Sequence, residues 1–126
     1  MLRQGGLELD DLEERVEKLR VEHDNRWIAP VSRGLDALLA GRVACLRLRQ
    51  ALRAKDEPAV AKAKLMATER LAFAVAVFRA NHHVWTLPEA LRARAQLRRR
   101  VGDDVGADAD GQEAETIVSA MVSPAD

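Results

Sequence analysis

Large apolar residues recur at helical spacing near the beginning of the chain. They lie at steps of three and four residues: Leu9, Leu12, Val16 and Leu19. This spacing places side chains on one face of an α-helix, and we predict a helix over 10–26 with Asp10 as its N-cap. A helix of this length is only marginally stable alone, so its apolar face needs a partner.

A second helix is predicted from Ser32, a favourable N-cap residue, to about Lys55. Its apolar positions form one wide face, which comprises Leu35, Leu38, Leu39, Cys45, Leu46, Leu48 and Leu52. Gly41 lies within this helix, where glycine costs about 1 kcal/mol relative to alanine. We interpret Gly41 as the point where a neighbouring helix approaches closely.

The third predicted helix begins after Asp56, which can cap it, and runs from Ala59 to about Ala80 without glycine or proline. Its second half, from Leu71 to Phe78, is apolar on every side. Large residues partly alternate with alanine there, which would also suit a strand. Length and continuity with the preceding helical pattern favour a helix that is buried on all sides at the centre of a bundle.

A shorter fourth helix is predicted from Pro88 to about Val101, with Thr86 as its N-cap and Pro88 in its first turn. From Gly102 onward the chain is rich in Asp, Ala and Gly and lacks basic and aromatic residues. This composition predicts a disordered tail. Within the tail, Glu115–Val122 carries enough apolar residues for two helical turns.

These elements predict an all-α fold. We expect an antiparallel helical bundle of three long helices and one short helix in residues 1–101, followed by an acidic flexible tail in residues 102–126. Aromatic residues are only 3% of the chain, which disfavours a β-sandwich or barrel. One cysteine excludes an intramolecular disulfide. The longest apolar run has eight residues and no apolar leader segment is visible, so we expect a cytoplasmic protein without membrane association.

The formal net charge of zero conceals three differently charged segments. Residues 1–25 carry a net charge of −4, residues 26–101 carry +11, and residues 102–126 carry −7. Charges of both signs cancel beyond a Debye length of about 8 Å, so only local patches can attract an anionic partner. The arginines of the middle segment form the strongest such patch.

Two groups of arginines are candidate contacts for an anion or nucleic acid. The first shares one stripe of the second predicted helix and the other ends the fourth: Arg42, Arg49 and Arg53, and Arg98, Arg99 and Arg100. No aromatic residues alternate with these bases, and no helix-turn-helix spacing is present. A solvated arginine-rich surface is therefore the alternative interpretation.

The sequence contains no motif of a common catalytic or nucleotide-binding site, since GxGxxG, P-loop and GxSxG patterns are absent. His82 and His83 are adjacent, so on a helix their side chains point about 100° apart and do not converge on one metal ion. Cys45 lies among apolar positions, where a thiol behaves as a small hydrophobic group. We expect no catalytic residues, no metal and no cofactor.

We therefore expect a non-catalytic helical interaction module (an adaptor, assembly factor or regulator) that binds an unidentified protein partner and forms a homodimer. The expected interface consists of Leu9, Leu12, Val16, Leu19 and Trp27. Trp27 and Trp85 flank predicted helix ends, so packing on the ends of the core is a second role open to them. The alternative function is a nucleic-acid-binding protein that uses the six arginines, with the acidic tail modulating it.

Overall fold

The computed structural model describes residues 5–24 and 30–122, and these residues form five α-helices without a β-strand. The helices are α1 (Gly5–Asp24), α2 (Pro30–Ala54), α3 (Glu57–Ala80), α4 (Leu87–Arg100) and α5 (Asp104–Val122). The prediction of an all-α protein is confirmed for the described residues. The helix count differs from the predicted four because the acidic C-terminal segment contributes α5.

The most extensive helix contact joins α2 and α3. Gly34 lies against Phe78 and Gly41 lies against Leu71, so the two helices run in opposite directions. A Cβ atom added at Gly41 would lie 2.5 Å from Leu71 Cδ2. The prediction that Gly41 marks a close approach of a neighbouring helix is therefore confirmed.

Only Lys55 and Asp56 connect α2 to α3. Lys55 adopts a left-handed backbone conformation with a φ of 56°. The amides of Lys55 and Asp56 donate to the carbonyls of Leu52 and Ala51, which satisfies acceptors at the end of α2. The Asp56 side chain accepts a hydrogen bond of 3.2 Å from the Ala59 amide, so its predicted role as the cap of the third helix is confirmed.

The main core lies where α2, α3 and α4 meet. Its largest fully buried side chains are Phe78, Leu48, Leu71, Leu91 and Val75. The expectation that the second half of α3 is buried on every side is wrong, since Ala72 and Ala76 are exposed and Phe73 is 47% exposed. Neighbouring helices cover one face of α3, so this apolar segment packs on one side only.

α1 packs on α2 through both apolar and charged contacts. Leu9 and Val16 are buried against Val43. The Arg47 guanidinium donates to Glu13 at 2.8 Å, which ties α1 to α2 beside this apolar cluster. The partner helix that the apolar face of α1 requires is therefore α2 of the same chain.

Two of the predicted N-caps lie inside helices, and a third occupies the predicted position without a side-chain capping bond. Asp10 lies inside α1, where its carboxylate pairs with a basic residue of α2. Ser32 lies inside α2, which begins at Pro30. Proline is favoured in the first turn of a helix because it has no backbone N–H group, and N–H groups there have no acceptor within the helix. Thr86 precedes α4 as predicted, but its hydroxyl contacts the His83 ring and makes no capping hydrogen bond. The predicted capping roles of Asp10 and Ser32 are therefore wrong, whereas Thr86 is the N-cap residue of α4 as predicted but does not cap the helix with its side chain.

Residues 104–122 form helix α5, so the prediction of a disordered tail is wrong for this segment. After α4, Gly102 has a φ of 91°, a conformation that glycine adopts without strain, and the Asp103 amide donates to the Arg98 carbonyl at 2.7 Å. The Asp103 side chain then caps α5 by accepting from the Gly106 amide at 2.9 Å. The helical turns expected over Glu115–Val122 are confirmed as the last part of α5, whereas the domain boundary after residue 101 stays a prediction.

α5 packs on α4. Three positions at helical spacing face inward: Ala107, Asp110 and Ala114. Arg92 lies 3.9 Å from Glu115 and Arg99 donates to Asp108, so α4 and α5 run in opposite directions. Ala114 also belongs to the main core, so α5 is continuous with the packing of the other helices.

Trp85 lies in the connection between α3 and α4 and is 75% exposed, so it does not pack on the end of the core. Val84, which precedes it, is 40% exposed. In the part of the chain that the structure describes, no helix has both the length and the apolar character that a membrane crossing requires.

Candidate functional site

An open groove with a volume of about 600 Å³ lies between α2 and α4. It is lined by Arg42, Cys45, Leu46, Leu48 and Arg49 of α2 and by Glu89, Arg92, Ala93, Gln96, Leu97 and Arg100 of α4. Helix periodicity explains this grouping, since residues three, four and seven positions apart lie on one side of a helix. We call this site the α2–α4 groove.

Four arginines make the lining of the α2–α4 groove strongly basic. Arg42 and Arg49 are seven residues apart on α2, and Arg92 and Arg100 are eight residues apart on α4. At a rise of about 1.5 Å per residue, each pair spans about 10–12 Å along its helix. Glu89 is the single acid of the lining, so four arginines against one glutamate give the groove a net charge of +3.

The arginines of the groove have weak carboxylate partners or none. Arg42 lies 3.9 Å from Glu89, and Arg92 lies 3.9 Å from a carboxylate of α5, with every side chain of these pairs more than half exposed. Within residues 5–24 and 30–122, Arg49 and Arg100 contact no carboxylate. Exposed ion pairs contribute about 0–1 kcal/mol, so these guanidinium groups remain available to a ligand.

Other arginines of α4 face α5 and have their charges compensated. Arg94 and Arg98 donate to the Asp110 carboxylate at 2.8 Å and 3.0 Å, and the Asp110 side chain is only 4% exposed. Arg99 donates to Asp108 at 2.8 Å. The acidic C-terminal segment therefore neutralises one side of α4, and the excess positive charge lies on the side that faces the groove.

The six arginines selected from the sequence are divided by the structure. Arg42, Arg49 and Arg100 line the groove. Arg98 and Arg99 pair with carboxylates of α5. The sixth arginine, on the last turn of α2, is exposed and lies outside the groove lining: Arg53.

Arg92, Glu89 and Gln96 are groove residues that the sequence analysis did not select. The spacing of Arg92 and Arg100 was a usable signal, because eight residues is close to two helical turns. The alignment of α4 with the arginine stripe of α2 was not visible in the sequence, since it depends on how the helices cross.

Cys45 belongs to the apolar part of the groove lining and is half-buried. Burial raises the pKa of the Cys45 thiol, and the positive charge of Arg100 acts in the opposite direction by stabilising the thiolate. A protonated thiol is a poor nucleophile. Cys45 therefore contributes apolar surface to the groove.

The interface residues predicted on α1 fall into two sets. Leu9 and Val16 are 7% and 5% exposed, because they pack against α2, so they are not available to a second copy. Leu12 and Leu19 are 39% and 40% exposed. Trp27 lies outside the described residues.

A second cavity, of about 630 Å³, lies between α1, α2 and α3. Its charged lining residues are Asp10, Glu13 and Asp56 together with Arg47 and Lys62. Burial holds the pKa of Glu13 above its ordinary value, and the nearby positive charge of Lys62 offsets part of this increase. Three acids against two bases leave this cavity with a net charge of −1, so it lacks the strong positive charge of the α2–α4 groove.

The described residues contain no group of three or more His, Cys, Asp or Glu side chains that could hold a metal ion. His83 contacts the Thr86 hydroxyl and lies beside the Phe78 ring, with ring centroids 5.7 Å apart. His82 is exposed. The two histidines therefore occupy different environments.

Comparisons with protein-family models, curated proteins and solved structures give no match to this chain. Function is therefore inferred from the chemistry of the α2–α4 groove and of the exposed side of α1.

Proposed function

We propose that the protein is a non-catalytic helical interaction module, an adaptor, assembly factor or regulator that acts through protein–protein contacts and forms a homodimer. The observation that carries this proposal is the exposed side of α1, where Leu12 and Leu19 are 39% and 40% exposed. They are seven residues apart and so lie on one side of the helix. Their neighbours Leu9 and Val16 complete the contact with α2 and leave this pair uncovered.

The charges beside these leucines suit pairing with a second copy. Asp11 precedes Leu12, Lys18 precedes Leu19, and both charged residues are exposed. In an antiparallel pair of α1 helices around a two-fold axis, Leu12 of each copy lies opposite Leu19 of the other, and Asp11 lies opposite Lys18. We call these four residues the α1 outer face. Asp11 also lies 3.7 Å from Arg15 in its own chain. This ion pair is exposed and therefore weak, so Asp11 can pair with Lys18 of a second copy instead.

The α1 outer face is small, so the dimer is expected to be weak. Interfaces below about 1,200 Å² belong to weak or transient complexes, and a dissociation constant on the order of micromolar corresponds to about −8 kcal/mol. In sedimentation equilibrium, the apparent mass should rise with protein concentration from 13.9 kDa toward twice that value.

A double variant, Leu12→Asp with Leu19→Asp, should remain at the mass of the monomer, because four carboxylates would face each other across the two-fold axis. Leu65→Asp is the matched control, since Leu65 is 59% exposed on α3 and lies outside the α1 outer face. It should dimerise as the unaltered chain does. Equal masses for the double variant and the unaltered chain at every concentration would refute the dimer.

A charge exchange tests the orientation of the two α1 helices. Asp11→Lys places lysine opposite Lys18 and should weaken the dimer, as should Lys18→Asp, which places aspartate opposite Asp11. The double variant restores opposite charges and should regain most of the lost association. If the losses of dimer affinity in the two single variants add up in the double variant, the antiparallel arrangement is contradicted.

The second candidate function is nucleic-acid binding. Its support is the set of exposed arginines without strong carboxylate partners: Arg42, Arg49, Arg53 and Arg100. Arg98 and Arg99 do not support it, because they pair with α5. If four phosphates of duplex DNA were contacted, the log–log slope of affinity against salt concentration should be about −3.5. A flat or absent binding signal at two salt concentrations removes this candidate.

A further inference from the structure

We propose that the α2–α4 groove binds an acidic amphipathic helix of a partner protein. This inference rests on the proposed function, and it adds the surface that is used and the chemistry of the partner. It concerns a different part of the molecule from the α1 outer face, so the two can be tested separately.

The shape of the groove suits the binding of a helix. Its walls are two helices, and its apolar lining includes Leu46, which is 45% exposed, and the buried residues Leu48 and Leu97. Arginines on both walls border this apolar surface. An amphipathic helix places its apolar stripe in such a groove and its polar flanks at the rims. With four arginines at the rims, the complementary flanks are acidic.

On α2, the groove residues Arg42, Leu46 and Arg49 belong to a longer strip of regularly spaced residues. Leu35, Leu39, Arg42, Leu46 and Arg49 follow one another at steps of four, three, four and three residues. This is the spacing of a coiled-coil seam, and the three leucines are each 44–45% exposed. The strip covers fifteen residues, so its ends are about 21 Å apart along the helix. Its length is that of a partner helix of several turns, and it greatly exceeds the size of a single small anion.

The alternation of leucine and arginine distinguishes a peptide partner from nucleic acid. A charged phosphate backbone gains nothing from contact with exposed leucines. Bases of single-stranded nucleic acid stack on aromatic side chains, and the groove lining contains no aromatic residue. A second copy of this chain is also a poor occupant. Two basic α2 strips repel each other, and the exposed leucines of α1 have the bases Arg15 and Lys18 beside them as well as Asp11, so α1 does not supply the acidic flanks that the groove requires.

The probe for the groove is a fluorescein-labelled, helix-forming peptide with a leucine stripe flanked by glutamates seven residues apart. A matched peptide carries glutamine in place of every glutamate. In fluorescence anisotropy with the full-length protein, the glutamate peptide should bind at least about tenfold more tightly, the difference expected when one or two charge-assisted hydrogen bonds are lost.

Charge reversal on both walls locates the binding site. Arg49→Glu combined with Arg92→Glu should weaken binding of the glutamate peptide by about tenfold to a hundredfold, since like charges then face each other. Arg53→Glu is the control for reversing an arginine charge on α2 outside the groove lining, and the affinity of this variant for the glutamate peptide should stay within about twofold of that of the unaltered chain. A peptide with lysine at the glutamate positions should bind the double variant more tightly than the unaltered chain, which also shows that the variant is folded.

Cys45 supplies an independent readout, because it lines the groove and is the single cysteine of the chain. Saturating glutamate peptide should slow the alkylation of Cys45 by N-ethylmaleimide at least about fivefold. The glutamine peptide at the same concentration should slow the alkylation less, because it occupies a smaller fraction of the grooves. Peptide binding without protection of Cys45 would place the peptide elsewhere and overturn the proposal.

The same titration in the Leu12→Asp, Leu19→Asp variant separates this inference from the dimer. Binding of the glutamate peptide to that variant supports the groove whether or not the unaltered chain dimerises. Equal affinity for the glutamate and glutamine peptides overturns the groove proposal even if the dimer is confirmed. The groove proposal is also overturned, in favour of nucleic-acid binding, if a single-stranded oligonucleotide displaces the peptide at concentrations below that of the peptide and if Arg53→Glu weakens binding of the oligonucleotide.

Discussion

The α2–α3 pair and the α4–α5 pair each join two antiparallel helices through a short connection, but different interactions stabilise them. α2 and α3 meet through glycine and apolar side chains, with Gly41 against the fully buried Leu71. α4 and α5 meet through two buried alanines and through Asp110, whose carboxylate accepts hydrogen bonds from Arg94 and Arg98. The first contact depends on shape and the second depends on charge.

This difference shows how a polar, acidic segment can be part of a folded protein. α5 has few large apolar residues, so its composition alone favours disorder. Complementary arginines on α4 and the burial of Ala107 and Ala114 offset the entropy lost when the segment becomes helical. Composition describes a segment in isolation, whereas its order depends on the surface that it meets.

The largest expected effect is on the α4–α5 pair. Asp110→Asn removes the negative charge between Arg94 and Arg98, whose side chains are 18% and 33% exposed. Two partly buried guanidinium groups then lose their anionic partner, and the free energy of unfolding should fall by about 3 kcal/mol. Urea unfolding followed by circular dichroism measures this change.

Asp108→Asn is the matched control for Asp110→Asn on the same helix. Asp108 pairs with Arg99, and their side chains are 71% and 55% exposed. An exposed pair contributes about 0–1 kcal/mol, so the free energy of unfolding should fall by less than about 0.5 kcal/mol. Equal losses for the two variants would mean that the burial of Asp110 does not determine the strength of the α4–α5 contact.

The next effect concerns the α2–α3 pair. Gly41→Ala would bring a Cβ atom to 2.5 Å from Leu71 Cδ2, and Leu71 is fully buried in the core. We expect a loss of about 1–2 kcal/mol in the free energy of unfolding, despite the gain of about 1 kcal/mol in helix propensity. Differential scanning calorimetry or urea unfolding measures it.

Gly111→Ala provides the comparison in α5. No atom lies within 4 Å of a Cβ added at Gly111, so the helix propensity of alanine should act unopposed. The free energy of unfolding should rise by about 1 kcal/mol. Stabilisation by both alanine substitutions would contradict the close contact between α2 and α3.

The smallest expected effect concerns Arg100, an arginine of α4 that lies away from α5. Arg100→Gln should change the free energy of unfolding by less than about 0.5 kcal/mol, because Arg100 has no carboxylate partner in the described part of the chain. The substitution removes a positive charge that stabilises the Cys45 thiolate, so the pKa of Cys45 should rise further above its ordinary value. The pH at which alkylation of Cys45 becomes half-maximal should then increase, and a shift in the opposite direction would contradict this arrangement.

Apolar periodicity predicted the first four helices, and most of their predicted ends lie within a few residues of the observed ends. The pattern also identified Gly41 and Asp56, because a glycine inside a helix and an aspartate before a proline each have a local physical reason. The capping roles of Ser32 and Thr86 were predicted from residue type alone. Ser32 lies inside α2, and Thr86 is at the N-cap of α4 but its hydroxyl contacts His83 instead of the helix amides, because the helix start and this competing contact depend on neighbouring structure.

The candidate groove was only half visible in the sequence. Arg42 and Arg49 share a face of one helix, which periodicity reveals directly. Arg92 and Arg100 belong to the same site because α4 crosses α2 beside them. Arg98 and Arg99 appeared equivalent to Arg100 in the sequence, yet adjacent residues on a helix point in different directions and meet different partners.

The sequence by itself determined that this chain is helical, where most of its helices lie, and which of their faces are apolar, because these properties depend on residues close together along the chain. The tertiary structure decided which arginines are neutralised and which remain available, and whether the acidic segment is a helix. It did so because ion pairs and burial depend on distances between helices, which residue order alone does not specify.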